Sequence, residues 1–576
     1  MGSKRQPGKD QKSHRAAPAA HTSPPLAARF LAFLERRSLA LSVALVLIAS
    51  IRIVATYTVF SHTSDEPAHI ACGMEWLDKG AYRWEPQHPP LARVAAALGP
   101  YLLGIRSQGT VDRNLFSKFL EGIAILYHGH HYDLALALAR LGTLPFFWIA
   151  CQVVYCWGKR YFGAAVGVLA IFLFSFLPPV LAHAGLATTD MALTAFLGAA
   201  FLSGMVWMEQ PTPAHAIWFG ASSGLMVLSK FSCLAFFPAS VALVLAWYLF
   251  SERPKIAWLA RAVRERLPSF GLAVLVACLL IWAGYRFSFG KVEFANLRLP
   301  APELYRGIQQ VIQHNTEGHA AYLLGQRSMT GWWYFFEVAL AVKTPLAFLI
   351  LLGFGVPLAF RKGDRFQRAW LPLMFVSGIL LVGMFARINI GLRHVMPVYI
   401  GFALLTALAV VRLLELAGTR KWVRIALPLL AIWLAGSSLS IHPDYLAYFN
   451  ELGGSEPEKI LVDSDLDWGQ DLKRLAQRLR EVGAQEVAFQ PAFIFDLEQE
   501  RSFPHIRDKV DVLRPSPGWN AVELSAWKGS RLGLGDRYPG AIPWPDRIRP
   551  LERVGKSILL YYFPYPAAGN LSAPAH

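Results

Sequence analysis

Residues 38–60 read SLALSVALVLIASIRIVATYTVF, an apolar run of 23 residues that contains a single charge. A helix of this length, rising about 1.5 Å per residue, crosses the ~30 Å hydrocarbon core of a bilayer. The preceding segment, residues 1–37, is basic and rich in Pro, Ala and Ser, a composition typical of disorder. We therefore predict a disordered basic cytoplasmic tail followed by a first membrane helix.

The overall composition indicates the same class of protein. Hydrophobic residues make up 54% of the chain and charged residues 16%, whereas soluble domains carry about 25% charged residues. The net charge of +17 resides in short Lys and Arg clusters between apolar segments, as in loops that face an anionic leaflet. We therefore predict a polytopic membrane protein without a nucleic-acid partner. Four of the five cysteines lie inside apolar segments, which excludes a disulfide framework.

Ten further apolar segments predict membrane helices. They lie at about Leu134–Trp157, Phe162–His183, Thr188–Met208, Ala214–Lys230, Phe231–Phe250, Leu267–Phe287, Trp333–Phe360, Ala369–Ala386, Val395–Leu416 and Val423–Ile441. The run at residues 217–250 is too long for one span, so we expect a turn near Ser229–Ser232. With the N-terminus inside, the basic clusters fall in cytoplasmic loops, as the positive-inside rule requires. The sequence predicts an all-α bundle of about eleven spans over residues 38–441.

Polar residues collect at the predicted outer ends of these helices. The first external loop, residues 61–133, opens with SHTSDEPAHI and then reaches EPQHPPL. Asp190 heads the fourth predicted span, and Lys230 lies in the expected turn. The turn RINIGLRH at residues 387–394 carries two arginines, although short external loops are usually poor in Arg. We therefore expect an anionic group to compensate this turn.

Read together, several stretches resemble a known family. They are SDEPAHIACGMEWLDKG, HPPL, LATTDMALTAFL, NIGLRHVMPVY and DSDLDWGQDL. Each is weak alone, but in this order they are similar to the bacterial branch of the dolichyl-phosphate-mannose:protein mannosyltransferase family. These are phospholipid-carrier-dependent glycosyltransferases of family 39 with the GT-C fold. The resemblance runs from about Arg52 to Phe563.

The resemblance implies transfer of one sugar from a polyprenyl-phosphate carrier to an acceptor hydroxyl on a protein, lipid or glycan. It implies reaction at the outer face of the cytoplasmic membrane, in a bacterium the periplasmic side of the inner membrane, usually with inversion. Such a transfer needs a carboxylate as general base and cations around the departing phosphate. The predicted catalytic residues are Asp65 as the base, with Glu66 and Asp190 as support or substrate contacts. The predicted carrier-phosphate and substrate residues are Arg393, His394, Arg387, Asn389, Lys230, Lys343 and His88. For Lys230 and Lys343, snorkelling to the lipid headgroups is the alternative.

No cofactor is required by this chemistry, although a divalent metal could orient the phosphate. Asp65, Glu66 and His69 are weak candidate ligands, because no pair has a tight metal-binding spacing. Family members that modify lipid A with aminoarabinose carry Glu-Lys before two prolines, where this chain has Gln87 and His88. This departure disfavours that substrate and a metal at this position.

Beyond the last span, residues 442–576 predict a small external α/β domain. Strands are expected at Lys459–Val462, Glu486–Phe489, Asn520–Ser525 and Ser557–Phe563, with a helix at Asp471–Val482. In DSDLDWG a tryptophan precedes the glycine, so the motif favours an acidic turn that caps the helix over a calcium loop.

Two other function classes compete with the transferase. A transporter has a similar number of spans, but transporters have internal repeats and place polar breaks near the midplane. Here no repeat is found, and the charges lie at one end of the helices. A membrane-anchored receptor or structural protein would not require acidic and basic clusters on the same side.

Overall fold

The computed structural model describes residues 2, 26–114, 116–292, 296–361, 366–492, 503–511, 513–528, 540 and 542–565. Its α-helices, in chain order α1 to α19, are Leu26–Arg36, Ser38–Val54, Glu66–Met74, Pro90–Leu102, Ser117–Tyr127, Tyr132–Phe162, Ala164–Ser175, Pro178–Ala184, Asp190–Glu209, Pro213–Val227, Cys233–Glu252, Ile256–Gly284, Pro302–Glu317, Phe335–Lys343, Leu346–Gly355, Trp370–Met384, Val398–Leu416, Lys421–Ser440 and Leu472–Glu481. The strands β1 to β9 are Phe289–Val292, Leu297–Pro300, Ala321–Leu323, Gln326–Ser328, Glu486–Phe489, His505–Asp508, Gly518–Glu523, Glu552–Val554 and Ile558–Phe563.

The number of membrane spans differs from the prediction. Within the described ranges, six helices, α6, α9, α11, α12, α17 and α18, are long and apolar enough to cross a bilayer, and counting each of three bent helix pairs as one span gives nine. The predicted count of about eleven is therefore not confirmed. Two of the predicted spans correspond to α10 and α16, which have 15 residues each, fewer than the ~20 that a perpendicular span needs. The break between α10 and α11 lies at the predicted turn.

Helix α1 corrects part of the predicted tail. Residues 26–36 form this helix rather than disordered chain, because their apolar residues recur at helical spacing. Leu34 is buried against Ala165 and Val168 of α7. The chain bends by 79° between α1 and α2. Except for Gly2, the rest of the predicted tail, residues 1–25, lies outside the described residues.

The bundle core forms where α17 lies among α7, α15 and α16. Its residues are apolar on nearly every side, and 78% of its most apolar window is buried inside the protein. A helix that is hydrophobic all round is buried in a core or in lipid. By contrast, only 6% of the corresponding window of α12 is buried, which leaves its apolar surface for lipid.

The long loop between α2 and α6 folds into a compact unit of three α-helices. Helix α3 packs against both α4 and α5. Glycines allow the close approach, because a Cβ on Gly73 would meet the Arg93 carbonyl at 1.9 Å and one on Gly122 would meet the Pro67 carbonyl at 1.9 Å. The loop is therefore a rigid platform that carries the start of α3.

The C-terminal region contains a five-stranded mixed sheet of order β6-β5-β7-β9-β8. Strand β5 is parallel to β6 and β7, whereas β9 is antiparallel to β7 and β8. Helix α19 buries Leu472, Leu475 and Leu479 against the sheet. The predicted strand at Lys459–Val462 is wrong, because a 3₁₀ turn occupies Pro457–Lys459 and the Ile460 carbonyl accepts a hydrogen bond from the N–H of Leu324 in an external loop.

Candidate active site

Glu66 lies at the first turn of α3 in a buried ion pair. Its two carboxylate oxygens accept from Nε and Nη2 of Arg140 in α6, both at 2.8 Å. The backbone N–H groups of Thr63 and Ala187 donate to the same carboxylate at 2.7 Å and 2.9 Å. Burial favours a higher pKa for Glu66, but the charge of Arg140 and these hydrogen bonds hold the pKa below its usual value. The carboxylate is thus fully used in holding the loop to the bundle.

The neighbouring residue, Asp65, belongs to a different cluster. Its Oδ2 lies 3.1 Å from Nη1 of Arg393, and the same Nη1 lies 3.8 Å from Oδ2 of Asp190. Asp190 also accepts a hydrogen bond from Nζ of Lys230 at 2.7 Å. Two carboxylates and two cations from four separate parts of the chain therefore meet where the bundle helices begin or end.

These carboxylates differ in their exposure to solvent. The side chain of Asp65 is 30% exposed, whereas those of Glu66 and Asp190 are fully buried. A general base must reach the proton that it removes. Of the predicted catalytic residues, Asp65 alone has that access.

Arg393 is held from both sides. It lies in a 3₁₀ turn at Leu392–Val395, and its Nε donates to Oγ of Ser464 at 3.1 Å. Its guanidinium lies 4.3 Å from the centre of the Trp468 ring, within the range of a cation–π contact. Burial favours a lower pKa for Arg393, but Asp65 and Asp190 raise the pKa above its usual value. The side chain is therefore a fixed cation in a defined orientation.

Three histidines surround this cluster in neutral form. Nε of Arg93 donates to Nδ1 of His69 at 3.0 Å, and the His69 ring lies 5.4 Å from that of His88. Burial lowers the pKa values of His69, His88 and His394, and the nearby cations lower them further. Nε2 of His394 has no hydrogen-bond partner within the described part of the chain. These rings can accept or donate one hydrogen bond without adding charge.

Three predicted phosphate residues lie in other contacts. Nζ of Lys343 donates to the carbonyl oxygens of Leu446, at 2.7 Å, and of Asp465. Arg387 donates from Nη1 to the carbonyl of Thr316 at 3.2 Å, and Asn389 accepts from the N–H of Trp332 at 2.7 Å. All three join segments that are distant along the chain. Lys343 is buried and Lys230 pairs with Asp190, so neither follows the snorkelling alternative.

The weak metal candidates each face a cation. Asp65 faces Arg393, Glu66 faces Arg140, and His69 accepts from Arg93. Among the residues that the structure describes, no three His, Cys, Asp or Glu side chains are arranged to hold a metal ion. The donor set at this place therefore fits an anionic substrate group better than a metal ion.

Sequence reasoning missed Arg140, Ser464 and Trp468. Arg140 carries a signal, because an ionisable residue inside an apolar segment requires a partner. Ser464 and Trp468 lie in the DSDLDWG motif, which was interpreted as a helix-capping turn. Their contacts with Arg393 are 71 and 75 residues away along the chain, and local patterns do not report such distances.

Comparison with known proteins indicates a family and a fold. Residues 137–282 match the family described as dolichyl-phosphate-mannose-protein mannosyltransferase. The structure is similar to that of ArnT from Cupriavidus metallidurans bound to undecaprenyl phosphate, with 14% identity, a TM-score of 0.51, and coverage of 90% of this chain and 97% of that one. AglB, an oligosaccharyltransferase from Archaeoglobus fulgidus solved with an inhibitory peptide and a dolichol-phosphate, has 14% identity, a TM-score of 0.40, and coverage of 69% and 56%. No curated protein matches the sequence significantly.

The family match covers α6 to most of α12, which includes Arg140, Asp190 and Lys230. The predicted family resemblance and the enzyme class are thus confirmed, and the transporter and receptor alternatives are set aside. The chain therefore shares the fold of the GT-C glycosyltransferase ArnT, and residues 137–282 resemble the dolichyl-phosphate-mannose-protein mannosyltransferases.

Proposed function

We propose that this enzyme transfers a single sugar from a polyprenyl-phosphate carrier to an acceptor hydroxyl, with inversion at the anomeric carbon, at the outer face of the cytoplasmic membrane. The observation that carries the proposal is the pair formed by Asp65 and Arg393. The accessible carboxylate of Asp65 lies 3.1 Å from the guanidinium of Arg393. Asp190 contacts both this guanidinium and a second cation, Lys230. General base and phosphate-binding cation are therefore adjacent.

The chemistry follows from these positions. The Asp65 carboxylate accepts the proton of the acceptor hydroxyl, whose oxygen forms the new bond to the anomeric carbon. The bond from that carbon to the phosphate oxygen breaks, and its electron pair stays on the departing polyprenyl phosphate. Attack opposite to the leaving group inverts the configuration. Arg393 and Lys230 stabilise the charge that grows on the phosphate.

The charge balance of the cluster connects proton removal by Asp65 with phosphate binding by Arg393. With Asp65 and Asp190 ionised, the two carboxylates balance Arg393 and Lys230. Protonation of Asp65 removes the counter-ion that lies 3.1 Å from Arg393. The guanidinium is then free to bind the phosphate when the phosphate gains negative charge. Arginine suits this role because its planar fork matches phosphate oxygens.

The position of the basic loops supports the assignment to the outer face. Glu209, at the end of α9, pairs with Arg160 at 2.6 Å and also with Arg368. Asp190 begins the same helix of 20 residues, so the basic end and the candidate site are separated by about 30 Å. By the positive-inside rule the basic end faces the cytoplasm.

The carrier enters the proposal through the shared fold and the family resemblance. ArnT was solved with undecaprenyl phosphate, a lipid with one phosphate. A carrier of this kind keeps its chain in the bilayer and presents its phosphate at the headgroup level. The cluster of Arg393 and Lys230, at the ends of the bundle helices, lies where such a phosphate would arrive.

The test is turnover of a panel of radiolabelled polyprenyl-phosphate sugars by the purified protein, with membrane extract as the source of acceptor. We expect one donor to be consumed by the wild-type enzyme and not by Asp65→Asn. The matched control is Asp133→Asn, since Asp133 is a 58% exposed carboxylate paired with Lys473 in the same region. Full activity of Asp65→Asn would remove the base assignment. Failure of folded wild-type enzyme to consume any donor, with and without divalent metal, would remove the proposed reaction.

A further inference from the structure

A cavity of about 370 Å³ lies between the C-terminal sheet and two external loops. Its walls come from the β3–β4 hairpin, the turn around Asn389, the end of β7 and the segment that follows β7. The polar and aromatic lining residues include Tyr322, Arg327, Asn389, Asp463, Glu523 and Trp527. This volume falls within the ~300–1,000 Å³ of ordinary ligand pockets.

The cavity adjoins the proposed catalytic centre. Asp463 lines it, and the next residue, Ser464, accepts the hydrogen bond from Nε of Arg393. Burial raises the pKa of Asp463 to about 7, with Arg393 opposing the rise and the charge of Asp65 adding to it. Asp463 is therefore close enough to Asp65 and Arg393 to feel both charges. A ligand in the cavity would lie beside the proposed base.

Two buried polar groups on the cavity wall lack partners. The side chain of Glu523 is fully buried; its Oε2 accepts from the N–H of Ala492 at 2.5 Å, and its Oε1 has no partner within the described segments. Trp527 is 6% exposed, and its indole N–H is likewise unpartnered there. Buried polar groups in folded proteins are nearly always hydrogen-bonded. An acceptor position and a donor position therefore await a ligand in the same cavity.

The lining favours a neutral ligand rich in hydroxyl groups. Burial raises the pKa of Glu523 well above its usual value, and the charge of Asp467 raises it further, which favours the neutral carboxyl. A neutral carboxyl both donates and accepts, and the amides of Asn389 and Gln490 do the same. Trp527 adds an aromatic surface to these groups. A hydroxyl group satisfies such mixed partners, because it also donates and accepts.

We propose that this cavity is the acceptor subsite and binds a carbohydrate-like, polyhydroxylated portion of the acceptor through Glu523 and Trp527. The assignment to the acceptor rests on the proposed function. The carrier phosphate is assigned to Arg393 and Lys230 at the helix ends, whereas the cavity is walled mainly by the C-terminal sheet and the external hairpin. A ligand that enters this cavity contacts the Asp463 wall, and the next residue, Ser464, binds Arg393.

The first experiment measures binding without any donor, by calorimetry in detergent. The probes are methyl hexosides, methyl pentosides, methyl N-acetylhexosaminides, disaccharides and an unglycosylated Ser/Thr peptide. We expect wild-type protein and Asp65→Asn to bind one of the sugar probes. Glu523→Leu and Trp527→Phe should each weaken it about tenfold, since each removes a hydrogen bond to a buried group. Glu523→Gln, which keeps a neutral donor and acceptor, should stay within about threefold of wild type.

The control variant is Glu481→Leu, on the exposed side of α19 in the same domain. Its binding should equal that of wild type, and the thermal midpoint of every variant shows whether the domain remains folded. Absence of binding of every sugar probe by wild-type protein would overturn the proposal. So would equal affinity of folded Trp527→Phe and wild type, or binding of the peptide alone in a Glu523-dependent manner.

The second experiment separates this proposal from the transferase itself. In Trp527→Phe we expect the KM for the acceptor to rise about tenfold while the KM for the donor is unchanged. Donor turnover with an unchanged acceptor KM would overturn the subsite and leave the transferase. Sugar binding that depends on Glu523, in an enzyme that consumes no donor, would leave a carbohydrate site and overturn the transferase.

Discussion

Asp65 and Glu66 are adjacent carboxylates that each face an arginine, yet they are built for opposite purposes. Glu66 forms two 2.8 Å contacts with Arg140 and accepts backbone hydrogen bonds, with both side chains buried. Asp65 makes one contact of 3.1 Å with Arg393 and is 30% exposed. A carboxylate whose lone pairs are all used in hydrogen bonds has none left for a substrate hydroxyl, whereas a carboxylate with a single contact does. The contrast shows that burial and partner count, rather than charge, distinguish these two carboxylates, and the proposed base is the accessible one.

We expect the largest effect when the Asp65–Arg393 pair is broken. Asp65→Asn keeps the shape of the side chain but removes the base, so we expect kcat to fall by about 10²–10⁴. The stability of the protein should change little, because Asp65 is partly exposed and makes a single ion pair. Single-turnover kinetics with the preferred donor measure the first quantity, and thermal unfolding in detergent measures the second. Loss of fold in Asp65→Asn would mean that the two pairs do not differ as described.

Breaking the buried Glu66–Arg140 pair should lower the stability of the protein more than its activity. Glu66→Gln leaves Arg140 charged and buried without its counter-ion, so we expect a loss of about 3–5 kcal/mol in the free energy of unfolding. The activity of the molecules that remain folded should fall much less than in Asp65→Asn. A double variant, Glu66→Gln with Arg140→Gln, should lose less stability than the sum of the single variants. Strict additivity would show that the pair is not coupled.

A smaller effect tests the geometry of the reactive pair. Arg393→Lys keeps the positive charge but loses the planar fork that contacts Asp65 and Ser464 together. We expect kcat/KM for the donor to fall roughly tenfold. Arg387→Lys is the matched control, since Arg387 is exposed and donates to a carbonyl in the last turn of α13. Equal losses in both variants would argue against a special role for Arg393.

The last expected effect comes from a buried carboxylate without a cation. Asp467 is fully buried and accepts from the Ser525 N–H at 2.7 Å, and no salt bridge to it is found in the described residues. Burial raises the pKa of Asp467 to about 7, and the charge of Asp471 adds to the rise. The folded state then holds a proton that the unfolded state has released above pH ~4. Stability should therefore fall as pH rises from about 4 to about 7, by at most ~1.4 kcal/mol per pH unit.

Thermal midpoints measured between pH 5 and 8 check this slope, with Asp467→Asn as the comparison because its amide cannot ionise. The slope should be shallower in the variant. Glu66 has the opposite sign, since its pKa is lowered and its contribution is lost only in acid. Identical pH profiles of wild type and Asp467→Asn would show that Asp467 does not hold the proton.

Hydropathy predicts where helices form better than it predicts how many cross the membrane. Every predicted span contains a helix, because an apolar run of this length has to satisfy its backbone internally. Hydropathy does not predict the bends between helices. The segment predicted as Trp333–Phe360 turns by 115° between α14 and α15, next to Pro345. Hydropathy reports that such a segment leaves water but not in which direction it runs.

The charged residues of the site could be predicted from the sequence. Asp65, Asp190, Lys230 and Arg393 stand out because ionisable residues at helix ends in apolar surroundings are costly. The structure brings these four together, while their catalytic roles stay predictions. Lys343 also stood out for its charge, but it binds carbonyl oxygens of two other segments. Residue type alone does not separate these cases, because the partners come from distant parts of the chain.

Arg393 is fixed by residues that the ribosome adds late. Its contacts with Ser464 and Trp468 belong to the segment after α18, 71 and 75 residues beyond the arginine, which lies just before α17. A nascent chain with all its membrane helices inserted still lacks the support that orients this cation. Under the proposed function, activity begins only when synthesis has passed residues 463–468 and this segment has docked. Chains that end earlier are expected not to consume the lipid-linked sugar.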